Sequence, residues 1–255
     1  MQRLFIIAIA SLAFTLAASC KAANDRIKVI IPSVEDETEY IWRTLRDIPF
    51  FTEHGYEISL PDTPLISDLI EKSKSSTLTA SDRDRLEEVI RNEVYDQQAY
   101  QTAVAKIESR KPLINQLINQ LDAMEKNWHY QSFETYSIKL TFYGPGGSFD
   151  PDEGLILLFA TPAGAFKQYT DPTYTIIHEA VHIGIEESIV SPLDIPHSLR
   201  ERIVDRIIQL SFPQELPEYR VQDMGHEEFD NYFNDQNDIK TLKHIVEQYI
   251  KVRGR

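Results

Sequence analysis

Asp171 followed by Pro172 marks a helix start: the aspartate accepts from free backbone N–H groups, and proline at the first helical position lacks the donor that would be orphaned there. The helix is expected to run from Pro172 to about Glu187, and it carries His178-Glu179-Ala180-Val181-His182. Two histidines four residues apart stand about 40° apart on one helical face and one turn apart along it, so both imidazoles can reach one ion. No other feature constrains the chain as strongly. Glu179 stands about 100° round from His178 and is free to act as a base on water rather than as a ligand. The other reading of the same spacing is a core helix whose histidines are satisfied by their neighbours.

A single cysteine, Cys20, excludes both an intramolecular disulfide and a Cys-rich metal ribbon. A metal site in this chain must therefore use His and carboxylate ligands. Three protein ligands with one position left open suit catalysis, and the same helix cannot easily supply the third, since Glu186 stands about 12 Å along the axis from His178. The position six residues after His182 is Ser188, so a third histidine at that spacing is absent. The next helix is expected near Ser198, after Pro192 and Pro196, with Leu199, Ile203, Ile207 and Leu210 as its core stripe. Glu201 and Asp205 fall four apart on another face, where like charges repel by a few tenths of a kcal/mol unless a cation or proton intervenes. Ser198-x-x-Glu201 also reads as a capping box, and Asp205 could instead pair with a nearby arginine.

In this order, His178-Glu179-x-x-His182, eighteen residues, then Glu201-x-x-x-Asp205 resembles the gluzincin zinc metallopeptidases of the thermolysin type. The resemblance covers about residues 154–210. It implies one zinc ion per chain held by His178, His182 and Glu201, with Glu179 as general base and Asp205 as the acceptor that orients His178. The implied reaction is hydrolysis of a peptide bond in a peptide or protein substrate. In such enzymes the strand before the active-site helix offers its edge to an extended peptide. Gly154–Ala160 has that place, and its run Leu155 to Phe159 would favour apolar side chains. The family also uses a downstream histidine or tyrosine to stabilise the oxyanion. Tyr219, His226 and Tyr232 are available, and His226 is favoured because it follows Asp223 and Gly225 in a loop, although a loop histidine can equally be simply solvated.

The fold class expected is α+β, mainly helical, with a small antiparallel or mixed sheet and a zincin-like active-site helix. Ile27 to Ile31 reads as a strand ended by Pro32, and Glu35 to Met124 as mostly helical, with Pro112 either a kink or a new helix start. Ser137 to Tyr143 reads as a strand followed by the turn Gly144-Pro145-Gly146-Gly147, and Ile239 to Ile250 as a closing helix. A mainly helical region over 27–134 and a zincin-like catalytic region over 135–255 follow, able to form one compact unit. Glu227, Glu228 and Asp230 read as a solvated face.

At the N-terminus, Arg3 precedes the apolar run Leu4 to Leu16, too short to span a bilayer comfortably, and Leu16-Ala17-Ala18-Ser19-Cys20 resembles the bacterial lipobox. Ala17 stands where that motif most often has leucine. The resemblance implies a signal peptide over 1–19, a lipidated tether over 20–26 anchored through Cys20, and a lipoprotein facing the periplasm. Lys21, in place of aspartate, points to the outer membrane of a Gram-negative cell. Ordinary cleavage near the same site would instead give a soluble secreted protein. With 26 Lys and Arg against 40 Asp and Glu, the net charge of −14 excludes a generic nucleic-acid binder. It also excludes adhesion to anionic lipid by charge, so acyl chains would have to hold the protein at a membrane. The reading from a different class is a non-catalytic envelope lipoprotein acting as a binding or scaffold subunit.

Overall fold

The computed structural model describes residues 25–128 and 130–253. Cys20, the expected signal peptide and most of the tether lie outside them. Among the described residues no helix is long and apolar enough to cross a membrane.

Strand β1 (Ile27–Ile30) is followed by Pro32, and Ser33 then caps helix α1 (Val34–Arg46). The cap is reciprocal: the Ser33 hydroxyl accepts from the Asp36 N–H at 3.1 Å, and the Asp36 carboxylate accepts from the Ser33 N–H at 2.9 Å. Helices α2 (Ile48–Glu53), α3 (Pro64–Lys74) and α4 (Ala80–Val89) follow, with Thr63 and Thr79 preceding the last two. Their apolar faces, with that of α1, close over a small core of their own around Ile41, Leu45, Leu69, Leu86 and Ile90.

Helix α5 (Gln101–Trp128) runs without interruption through Pro112, which excludes a new helix starting there. Interior proline costs about 3 kcal/mol, but Ile107 on one side of it and Ile114, Leu117, Ile118 and Leu121 on the other are all fully buried. Burying each such side chain contributes about 1.5–3 kcal/mol, so the packed stripe outweighs the lost hydrogen bond.

The sheet is mixed, as the α+β reading expects. Strands β2 (Tyr136–Thr141), β3 (Ser148–Asp150) and β4 (Leu155–Phe159) join β1 in the order β1-β2-β4-β3. β1 pairs with β2 and β2 with β4 in parallel, while β3 runs antiparallel to β4. Parallel neighbours need a long crossover, and between β1 and β2 the crossover is the whole of α1 to α5. The helical half is thereby threaded into the same sheet as the second half.

One expectation is corrected here. Gly154–Ala160 does not present a free edge, because β4 is an interior strand with β2 on one side and β3 on the other. The glycine-rich turn after β2 lets the chain double back as the short strand β3, which takes the edge. Along β4, Ile156 and Leu158 are buried on one face while Leu155, Leu157 and Phe159 on the other are half-buried.

Helix α6 (Pro172–Ile185) lies at the centre, with every residue buried. It packs against α5, against β3 and β4, and against α7 (His197–Ser211). The expected closing helix begins as a tight turn over Gln236–Thr241 and becomes α8 (Leu242–Arg253). Gly184 shows how closely α6 is held. A Cβ there would stand 1.8 Å from Cε2 of Tyr130, a buried ring stacked on Trp128 whose hydroxyl donates to the Ala180 carbonyl at 3.0 Å. Alanine in an open helix would stabilise by about 1 kcal/mol. At this position the overlap dominates, and Gly184→Ala is expected to destabilise by about 1–3 kcal/mol, read as a lower midpoint in urea unfolding with an unchanged slope.

Candidate metal centre

Asp171 starts α6 as the sequence predicts, its carboxylate accepting from the Thr173 N–H at 3.0 Å, and this fixes the phase of the two histidines. His178 and His182 are 7% and 2% exposed. A single wide turn over Glu186–Val190, then Pro192 and Pro196, returns the chain as α7. The cap of α7 is Pro196 with no side-chain hydrogen bond, so the Ser198-x-x-Glu201 capping box does not form. Glu201 instead reaches across to α6. Its Oε2 lies 3.2 Å from Nε2 of His178 and 3.2 Å from Nε2 of His182, and the two Nε2 atoms are 3.0 Å apart.

These three atoms form a buried triangle that could hold a metal ion. Around a tetrahedral ion with bonds of about 2.0–2.1 Å, ligand atoms stand about 3.3–3.4 Å apart, within a few tenths of the edges found. The distribution of protons gives a second test. Asp205 accepts from the Tyr219 hydroxyl at 2.7 Å, and that phenol oxygen lies 2.6 Å from Nδ1 of His178. The phenol has one proton and gives it to Asp205, so Nδ1 of His178 must be the donor to the phenol oxygen. With both histidines neutral, Nε2 of His178 is then a bare lone pair. A single proton on Nε2 of His182 can serve two edges of the triangle at most, leaving His178 and Glu201 as acceptor against acceptor. A cation between the three satisfies every edge.

The electrostatics favour a positive charge at the His178 corner, supplied by a proton or by a cation. Burial opposes protonation of His178, yet the Glu201 carboxylate beside it, with Glu179 and Asp205 near, raises its pKa. Burial pushes His182 down to about 4. Burial also works against ionised Glu201, but its contacts with the two histidines outweigh this and hold the carboxyl well below its usual range. Burial pushes Glu179 up to about 7, opposed by His178. The Glu179 carboxylate lies against the turn before β3: a Cβ on Gly147 would meet its Oε1 at 3.3 Å and the Leu157 carbonyl at 3.3 Å. Glycine there lets the edge strand approach Glu179 closely.

Comparison of the chain with protein-family models, with curated proteins and with solved structures found no match. The geometry of the site therefore carries the functional argument.

Two expected roles are placed differently. Asp205, fully buried, does not touch His178 closely: its Oδ1 is 3.8 Å from Nδ1, and the Tyr219 hydroxyl stands between them. Among the described residues it is not paired with an arginine either, since Arg202 turns to Asp230 at 2.8 Å and Arg206 to the Phe233 carbonyl. His226 is not brought to the triangle. Gly225 and His226, at φ of +87° and +65°, turn the chain towards α8. His226 there contacts the Ser198 hydroxyl at 3.1 Å and the Tyr249 hydroxyl at 3.0 Å, beside a separate surface pocket of about 500 Å³. Tyr232 packs edge-on against Tyr249 rather than near the ligands. The acidic group nearby is only partly solvated, because Asp230 pairs with Arg202 and Glu228 with Arg253.

Sequence reasoning missed Phe149 of β3, whose ring stacks on His182 at 5.1 Å between centroids and has the Arg200 guanidinium over it, 5.7 Å from the ring centroid. A lone phenylalanine after a glycine-rich turn carries no signal of this. Tyr219 was among the candidates, but for a different role.

Proposed function

We propose that the chain is a zinc-dependent peptidase of the bacterial cell envelope. The observation that carries this reading is the triangle of His178, His182 and Glu201 with the carboxylate of Glu179, one residue along the same helix, left outside it. A His2Glu set with no thiolate suits zinc among divalent ions. Zinc, when bound there, supplies a Lewis acid that acidifies water and polarises a carbonyl.

The chain's own residues have separable tasks in this reading. Glu179, unpaired and held near neutrality by burial, takes a proton from the attacking water and returns it to the leaving amine. Phe149 and the ring of α6 neighbours exclude water from the ligands, which strengthens electrostatic contacts there. The exposed edge of β3 offers backbone groups to an extended substrate, replacing β4 in that role. Lipidation at Cys20 would hold the chain at the outer membrane, facing the periplasm.

The near-complete burial of the three ligands favours a second reading, a metal kept for structure in a scaffold lipoprotein. Incubation of the zinc-loaded chain with a peptide library, read by mass spectrometry, separates the two. New termini that vanish on chelation and return with zinc are the expected result, and an uncut library with a loaded chain favours the scaffold.

A further inference from the structure

The chain after α7 returns over the metal centre and touches it at two points. Tyr219 places its hydroxyl against Nδ1 of His178. Gln222, three residues on, donates from its side-chain amide to Oε2 of Glu201 at 2.8 Å. Both residues hang from one group: Asp205 accepts from the Tyr219 hydroxyl through Oδ1 at 2.7 Å and from the Gln222 backbone N–H through Oδ2 at 2.7 Å. We infer that Tyr219 and Gln222 form a positioning clasp, anchored on Asp205, that orients two of the three metal ligands. The inference rests on the metal-binding reading of the triangle, and it concerns which residues hold that triangle in shape.

Each half of the clasp has a distinct physical task. The phenol accepts the Nδ1 proton of His178, which leaves the lone pair of Nε2 pointing into the triangle and fixes the ring against rotation. The Gln222 amide bonds to the same oxygen of Glu201 that faces the histidines. The other oxygen, Oε1, lies 3.3 Å from His197 Nδ1, which itself accepts from the Arg200 guanidinium at 2.9 Å, and 3.8 Å from Arg200 Nε. The carboxylate is thus turned to offer one oxygen, Oε2, and not a chelating pair. His182 lacks such support, for its Nδ1 is buried with no hydrogen-bond partner among the described residues, and on that side of the triangle its ring packs against Phe149 and edge-on to His178. Orientation of His178 and Glu201 by hydrogen bonds is therefore where loss of a side chain should be felt.

The test compares zinc affinity, by competition with a chromophoric chelator, in the wild-type chain and in Tyr219→Phe, Gln222→Met and Tyr169→Phe. Tyr169 is the control. It stacks on Tyr219 at 6.1 Å and accepts from the Arg220 N–H at 3.0 Å, so its loss disturbs the same segment without removing a bond to a ligand. Tyr219→Phe and Gln222→Met are each expected to weaken zinc binding by roughly 10–100-fold, the effect usual for such outer partners, while Tyr169→Phe leaves it near the wild-type value. In the loaded wild-type protein the Nδ1 proton of His178 should give a slowly exchanging, far-downfield NMR signal, lost from view in Tyr219→Phe and kept in Gln222→Met. Wild-type affinity in both clasp variants, or an equal loss in Tyr169→Phe, overturns the inference. Gln222 is only partly buried, so its variant decides the matter if Tyr219→Phe does not fold. A wild-type chain that binds no zinc would overturn the metal reading itself, a result distinct from either.

Discussion

Glu179→Gln is expected to lower peptide hydrolysis by about 10²–10⁴-fold, the usual contribution of a positioned general base, while leaving zinc content and fold intact. Glutamine keeps the shape that fits against Gly147 but cannot take a proton. Since Glu179 acts on the triangle only through its charge and makes no hydrogen bond to it among the described residues, its neutralisation should not release the ion. The measurement is kcat on a peptide identified from the library, beside zinc per chain in the same sample. Full activity in this variant would remove Glu179 from the chemistry.

The second large effect is on stability. An ion that binds only the folded chain stabilises it by mass action, by about 4 kcal/mol when free zinc is 1,000-fold above Kd. For a chain of this size that amounts to roughly 8–16 °C in melting temperature. His182→Ala removes one corner of the triangle, and its cost in affinity should exceed the roughly 100-fold that outer partners can contribute. At the same zinc concentration the stabilisation then falls to about 1.4 kcal/mol or less. Differential scanning fluorimetry with and without zinc reads both. Equal shifts in wild type and His182→Ala would mean that the ion binds elsewhere.

Much of this was readable in the sequence, for reasons tied to particular residues. Asp171-Pro172 set the phase of α6, and a fixed phase plus a spacing of four determines where His178 and His182 point. The apolar stripe of α7 likewise oriented Glu201 and Asp205 towards α6, because the face opposite solvent is dictated by Leu199, Ile203 and Ile207. A small sheet, antiparallel or mixed, followed from the short β-prone runs, while its mixed pairing was set by the helical crossover between β1 and β2 and the turn before β3. What could not be read depended on long-range packing. Strand β3 holds only three residues and no alternation, so neither its place at the sheet edge nor the stacking of Phe149 on His182 had a local signature. The loop after α7 was harder still, since spacing does not say which of Tyr219, His226 and Tyr232 returns to the site. Positive φ at Gly225 and His226 decided it, carrying His226 towards α8, while Tyr219, placed earlier in the loop, reaches Asp205. Of the two readings of Pro112, a kink or a new helix start, packing excludes the second, because buried residues on both sides keep α5 one helix.

In the proposed reading His178, His182 and Glu201 hold one zinc ion. Mass spectrometry of metal content tests it most directly, on a soluble chain beginning at Lys21, purified without chelators and measured again after zinc reconstitution and desalting. About one zinc per chain is expected, lost in His182→Ala and Glu201→Ala. A well-folded chain that keeps no zinc after reconstitution would contradict it.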